Sequence, residues 1–160
     1  MSGALRVGNG VDVHPLVPDR PLILGGVTVP SEKGIQGHSD GDVLSHAIID
    51  ALLGAADLGD IGTWFPSSRP DLEGISSQAM LEKVLELLDR EGYRLVNIDA
   101  TIILEAPRLS DYLPAMKRRL AETLDCDDKR ISVKATTTDH LGFIGAGDGI
   151  AALATVLIER

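Results

Sequence analysis

Aromatic side chains are scarce in this sequence: one Trp, two Tyr and two Phe make up 3% of 160 residues. Any core must therefore be aliphatic. The 44% of residues that are hydrophobic can supply one, which argues against a disordered or low-complexity chain. Cysteine is nearly absent. The single Cys126 excludes an internal disulfide and a four-cysteine zinc site, and it suits a reducing, cytoplasmic setting. Cations are in deficit, with 15 Lys and Arg against 24 Asp and Glu. The net charge of -9 has the wrong sign for nucleic-acid phosphates or an anionic membrane as partner. Long apolar runs are missing too. The longest uncharged stretch, Pro21 to Ser31, is too short and too rich in Gly and Pro to cross a bilayer. No basic segment followed by an apolar one opens the chain in the manner of a secretory signal. The length predicts a single domain over residues 1–160.

What is present is a set of apolar patterns with clear periods. Leu5 to Val13 reads as a strand, and Leu22 to Leu24 and Val27 to Val29 flank Gly25-Gly26 as a tight hairpin. Val43, Ala47, Ile48, Ala51, Leu52 and Ala55 recur at helical spacing, with Ser39 or Asp40 as the expected N-cap. After a Gly/Pro/Ser-rich loop from Gly59 to Gly74, a second helix is predicted from Ser76 to Arg90, with Gly92 beyond its end. Leu95 to Glu105 reads as a strand and Asp111 to Leu124 as a third helix. Ile131 to Thr138 and Ile150 to Ile158 read as closing strands. Because strands and helices do not alternate strictly, this order predicts an α+β two-layer sandwich. Its expected form is a mixed four-stranded sheet with helices on one face and a small N-terminal hairpin. The glycines at 142, 145, 147 and 149 do not satisfy a dinucleotide fingerprint, and Gly59 is followed by Asp60 rather than the Lys of a phosphate loop.

Three constellations carry possible chemistry. Asp12 and His14, two apart on a strand, point to one face, and His46 on the first helix is a candidate third ligand. Together they offer a three-ligand oxygen and nitrogen set with the open fourth position of a catalytic zinc. The same residues also suit a strand-end turn with a hydrogen-bonded core histidine. Asp42 and Asp50 lie one helical turn either side of His46, as outer carboxylates for its ring or as a cap and a solvated face. Gly37 to Asp42 is a polar turn before a helix, suited to a phosphate or simply to capping. Lys134 to Asp139 places hydroxyls and a cation before an acid, the donor set of a hard divalent ion with phosphate oxygens, or a plain threonine-rich strand end.

Seven stretches taken together resemble the 2-C-methyl-D-erythritol 2,4-cyclodiphosphate synthases. They are Gly10 to His14, His38 to Val43, His46-Ala47, Asp50 to Ala55, Leu58 to Gly62, Phe65-Pro66 and Lys134 to Thr138. The resemblance implies a homotrimer with active sites between subunits, and a lyase of non-mevalonate isoprenoid biosynthesis. Its substrate, a cytidine diphosphate, cyclises with loss of CMP. Asp12, His14 and His46 match the family's zinc ligands, one ion per subunit, and Asp139 matches the ligand of a second ion, magnesium or manganese. His38 and Thr137 match the positions that stabilise the transition state. His38 and Ser39 match the family's substrate-contacting pair, Asp60, Ile61, Gly62 and Phe65 match contacts to the methylerythritol phosphate end, and Asp12, Val13, His14, Thr138, Asp139 and Phe143 match further substrate contacts. Leu104, Ala106, Pro107, Arg108, Leu109 and Ser110 match the nucleotide cradle, with Ala135, Thr136 and Thr137. In a chain of this charge, Lys134 and Arg108 are expected to reverse the field inside the cleft.

The sequence departs from many relatives at several positions. Ser67 and Arg69 replace acids in the substrate loop, and Asp139 replaces a longer Glu. Val11 and Ala146 stand in place of Phe and Arg. The loss of three axial guanidinium groups implies no strong isoprenoid-diphosphate site on the trimer axis.

Overall fold

The structure, a computed structural model, describes residues 4–160; residues 1–3, the start of the expected domain, lie outside the described residues. Strand β1 runs Leu5–Pro18, well past His14-Pro15, and is followed by the hairpin β2 (Leu22–Leu24) and β3 (Val27–Val29) and by β4 (Lys33–Ile35). Helix α1 spans Val43–Ala56, α2 Ile61–Trp64 and α3 Ser77–Arg90. Then come β5 (Arg94–Ile103), α4 (Leu113–Thr123), β6 (Ile131–Thr136), α5 (Gly142–Gly145) and β7 (Gly149–Glu159).

The main sheet has the order β4-β1-β7-β5-β6. It is mixed, since β5 and β6 pair in parallel and the other neighbours are antiparallel. The fold class is therefore α+β as expected, but with five strands rather than four. The added strand is β4, which lies on the outer edge of β1 with Leu16 opposite Ile35. Three residues holding one glycine carry too little periodicity to announce a strand.

The inner face of the sheet is aliphatic. Ile98, Ala100 and Ile102 of β5 and Ile150, Ala152, Ala154, Val156 and Ile158 of β7 are buried there. Helix α1 packs on β1 and β7 from that side, and α3 packs on α1. This double cover explains why α1 is buried around nearly its whole circumference, whereas α3 keeps one polar face. The approach of α1 to β1 is unusually close. A Cβ built on Gly8 would lie 2.0 Å from the Ala51 carbonyl oxygen, and one on Gly10 would lie 2.0 Å from that of Ala47. Bare backbone at both positions lets the helix settle onto the strand, and that closeness brings His46 within reach of Asp12.

Candidate metal centre and substrate cleft

Along β1 the side chains alternate. Val7, Val11 and Val13 point outward and are exposed, while Gly8, Gly10, Asp12 and His14 share the side that faces α1. Asp12 and His14 thus meet His46, which α1 presents from a buried position. The Asp12 Oδ2 atom lies 3.0 Å from His14 Nδ1 and 3.0 Å from His46 Nδ1. The His46 contact is a hydrogen bond. The His14 contact is out of line for one, so the buried His14 Nδ1 has no hydrogen-bond partner among the described residues. Among the described residues, Asp12, His14 and His46 form a group whose ligand atoms lie within 4.8 Å of one another; Asp139 is not part of it. One carboxylate oxygen, two imidazoles and an orphaned ring nitrogen are a fitting donor set for a divalent metal.

The electrostatics agree. Burial pushes the Asp12 carboxyl up, but the two imidazoles outweigh it and hold the group at about 2. Burial would lower His46, yet the Asp12 carboxylate beside it raises its pKa above the ordinary histidine value. Each partner stabilises the other's charged form, and a cation placed between them would replace the proton on His46.

Neither carboxylate flanking His46 on the helix touches its ring. Asp42, not Ser39 or Asp40, is the N-cap of α1 and is wholly buried. It accepts from Ser45 N–H and Ser45 Oγ–H, and from the N–H groups of Gly25 and Gly26 at 2.9 Å each. It thereby fastens the hairpin to the helix. Burial pushes its carboxyl up against those four donors. Asp50 accepts the N–H of Ile61 at 2.7 Å and so anchors the start of α2. The ring of His46 is instead met at Nε2 by two hydroxyls, Ser77 Oγ at 2.9 Å and Ser39 Oγ at 3.1 Å.

The long loop is less irregular than its composition predicts, because it contains α2 and a 3-10 turn over Pro70–Leu72. Asp60 caps α2, accepting from the backbone N–H and the hydroxyl of Thr63, and those bonds hold its carboxyl below the usual range. Ile61 and Gly62 follow in α2, and Phe65 at its end packs partly into the core. The far end of the loop returns to His38. The Gly74 N–H donates to the His38 carbonyl at 2.8 Å, and His38 Nε2 lies 3.3 Å from the Arg69 carbonyl oxygen.

The expected nucleotide stretches also come together. Leu104, Pro107, Arg108, Leu109, Ser110, Ala135, Thr136 and Thr137 line one cavity of about 470 Å³, with Glu105 and Leu113. Ala106 faces a neighbouring cavity of about 550 Å³ that also takes in Lys33 and Ala146. Thr138 is turned away, its hydroxyl donating to the Leu141 carbonyl oxygen at 2.8 Å. Asp139 is exposed with φ +51°, its N–H donating to Thr137 Oγ1 at 3.2 Å, and Phe143 is exposed on α5. Arg108 stays at the cavity, its Nε donating to Ser110 Oγ at 3.0 Å. Lys134 does not line this cavity and is ion-paired with Asp99, so the expected pair of cleft cations reduces to Arg108.

The sequence matches the YgbB family over residues 5–159. A relative from Geobacter metallireducens, a 2-C-methyl-D-erythritol 2,4-cyclodiphosphate synthase, is 54% identical over 156 residues, covering 98% of this chain and 99% of its own. Among solved structures, the bifunctional IspDF of Campylobacter jejuni superposes with a TM-score of 0.96 at 43% identity. That match covers 99% of this chain and 43% of that longer one. The CDP complex of IspF from Plasmodium falciparum superposes with a TM-score of 0.87 at 31% identity, covering 100% of this chain and 99% of that one. With the mixed α+β sheet and the Asp-His-His cluster already established, these matches show that the chain belongs to the YgbB family.

Proposed function

We propose that this chain converts 4-diphosphocytidyl-2-C-methyl-D-erythritol 2-phosphate to 2-C-methyl-D-erythritol 2,4-cyclodiphosphate and CMP, as one catalytic domain acting in the cytoplasm. The observation that carries the reading is the Asp12, His14 and His46 cluster with its orphaned ring nitrogen, in a chain of this family. Zinc suits the cluster by donor type. Asp139 is the proposed ligand of a second ion, magnesium or manganese, held jointly with substrate phosphates. When bound, such ions act as Lewis acids on phosphoryl oxygens.

The reaction needs no protein nucleophile. An oxygen of the substrate's 2-phosphate bonds to the β-phosphorus, the bond from that phosphorus to the bridging oxygen breaks, and CMP leaves with the electron pair. The chain's own task is to fold the substrate so that attacking and leaving oxygens are in line, and to exclude water that would compete at the same phosphorus. Asp60, Ile61 and Gly62 stand where α2 begins and hold the methylerythritol phosphate end, with Ser39 and Phe65. Val13 and Phe143 are assigned as substrate contacts by family position. The cavity beside Arg108 and Thr136 takes the cytidine diphosphate, a reading supported by the CDP in the Plasmodium falciparum relative. His38 and Thr137 stabilise charge on the equatorial oxygens.

The walls of that nucleotide cavity contain none of the three metal ligands. The outer face of β1 and β7 is also unusually apolar, with Val7, Val11, Val13 and Leu153 exposed and Val11 directly opposite Leu153. Both features support a homotrimer in which the metal centre of one subunit faces the nucleotide cavity of the next. Ala146 and Val11 would then leave the trimer axis without a strong isoprenoid-diphosphate site.

The test is incubation of the zinc-loaded protein with the cytidine diphosphate substrate, followed by phosphorus NMR. CMP with the cyclic diphosphate is the expected result; CMP with an uncyclised product would mark a phosphodiesterase instead.

A further inference from the structure

The side chain that completes the metal centre comes from an element no motif points to. Ser77 is the first residue of α3, directly beyond the long loop, and it is wholly buried. Its hydroxyl sits between two groups: His46 Nε2 at 2.9 Å and Asp40 Oδ1 at 2.5 Å. A serine hydroxyl has one proton to give. The Asp40 carboxylate is the stronger acceptor for it, because a charge-assisted bond outweighs one to a neutral ring nitrogen. Asp40 grips the same residue a second time, accepting the Ser77 backbone N–H at Oδ2 over 2.9 Å. With its proton committed to Asp40, Ser77 Oγ can meet Nε2 only as an acceptor, so Nε2 must carry the hydrogen. A neutral imidazole has one N–H. Nδ1, hydrogen-bonded to Asp12 at 3.0 Å, carries the second proton of the charged ring, and it is this proton that a metal would displace, leaving the Nδ1 lone pair directed into the cluster.

We propose that Ser77 is a positioning residue for the metal ligand His46: held by Asp40, its hydroxyl accepts the Nε2–H and fixes the ring with Nδ1 free to ligate. The inference rests on the metal reading above. It also explains how His46 is oriented although Asp42 and Asp50 are bound elsewhere. Ser39 Oγ, 3.1 Å from Nε2, is the competing acceptor. It accepts the Gly41 N–H at 3.2 Å and, among the described residues, bonds to no carboxylate that would hold its proton. The arrangement ties the substrate loop to the metal centre as well. The loop ends at Ile75, whose carbonyl accepts the Asp40 N–H at 3.1 Å, so Asp40 anchors both the loop exit and the chain of bonds to His46.

Ser77→Ala tests this cleanly, because the backbone N–H that Asp40 also holds is kept. Zinc affinity is measured by competition with a chromophoric chelator, and the His46 Nε2–H is followed by nitrogen-15 NMR of the zinc-loaded protein. The expected result is a loss of zinc affinity of about 10- to 100-fold, the usual effect of removing a ligand's outer partner. An Nε2–H signal that moves upfield or exchanges with water too fast to observe is expected alongside it. Affinity within about threefold of the parent, or an unchanged Nε2–H signal, overturns the inference and leaves Ser39 as the working acceptor. Should Ser77→Ala not fold, Asp40→Asn carries the test. It keeps the shape but weakens the hold on the hydroxyl proton, and an affinity loss of about tenfold is expected, while none overturns the proposal. A parent chain that binds no zinc at all overturns the metal reading and this inference together. Zinc binding by the parent with no change in the variant overturns the inference alone.

Discussion

The two halves of the cleft are built differently. At the metal centre the side chains stand on long regular elements and are mostly held by partners in the same chain: Asp12 to His46, His46 to Ser77, Ser77 to Asp40. At the proposed nucleotide rim the groups are exposed and loosely held. Thr137 Oγ1 accepts the Asp139 N–H at 3.2 Å and lies 3.5 Å from Asp139 Oδ1, and among the described residues the Arg108 side chain bonds only to Ser110. One chain thus pre-organises the metal cluster, whereas it leaves the rim with few bonds of its own.

The largest expected effects separate the two halves. His46→Ala removes one of three ligands, so zinc binding should fall well beyond the roughly 100-fold that outer partners carry, and turnover should collapse with it. Thr137→Ala should leave zinc content intact but lower kcat about 10²- to 10³-fold, the usual effect of losing one transition-state donor. Metal analysis beside steady-state kinetics checks both, and a zinc-depleted Thr137→Ala would break the comparison. If the halves meet between subunits, mixing and refolding the two inactive variants should restore part of the activity. Light scattering on the same samples should give a trimer.

Next in size is Gly10→Ala, which tests whether the metal half depends on the close strand-helix contact. The new Cβ would lie 2.0 Å from the Ala47 carbonyl oxygen, a backbone atom that cannot swing aside. Overpacking of this kind costs about 3 kcal/mol, which in a chain of this size lowers Tm by about 6–12 °C. Zinc affinity should fall too, since α1 carries His46 away from β1. A melting curve unchanged from the parent would show that the two backbones can separate without loss.

The same contrast governs what was legible in the sequence. Helices α1, α3 and α4 and the long strands announced themselves through apolar period, and the period-2 placement of Asp12 and His14 survived intact. The cap was one of two readings open for Asp42, but its hold on the hairpin and the partner of Asp50 were not legible, because those partners are backbone N–H groups 11 to 17 residues away, and a backbone amide leaves no mark in a sequence. The first helix starts later than its polar turn implies, since Gly41 at φ +78° makes one more bend before the cap. Ser77 was invisible for a plainer reason: one serine after a loop reads as a cap, and only the packing of α3 on α1 carries it to the histidine. At the rim the residues of Lys134 to Asp139 left an ion site and a plain strand end equally open, because exposed hydroxyls at a strand end carry no pattern of their own, and the Leu104 to Ser110 stretch rested on family resemblance.

A smaller effect should appear on titration of the metal-free protein. His46 has its pKa raised in the fold, so its contribution to stability is fully present below the ordinary value of 6.5 and is lost as pH rises through the raised one. Asp12, held at about 2, contributes above its ordinary 3.8 and loses that contribution only as pH falls toward about 2. The urea midpoint of metal-free protein should therefore decline as pH rises past the ordinary 6.5 and through the raised His46 value. Zinc affinity should rise over the same interval, because the ion no longer competes with the His46 proton. A metal-free midpoint that climbs with pH would show that Asp12 does not hold His46 in its charged form.

The smallest effect is predicted in the long loop between α2 and α3. The Arg69 guanidinium is paired there with Asp71, with both side chains more than half exposed. Exposed pairs of this kind contribute about 0–1 kcal/mol. What the loop supplies to His38 at this point is the Arg69 carbonyl oxygen, 3.3 Å from Nε2, and a main-chain group survives any change of side chain. Arg69→Ala should accordingly leave Tm within about 2 °C and KM and kcat each within about threefold of the parent. A tenfold rise in KM would instead mean that the guanidinium leaves Asp71 to meet a substrate phosphate, and that the loop takes its order from what binds.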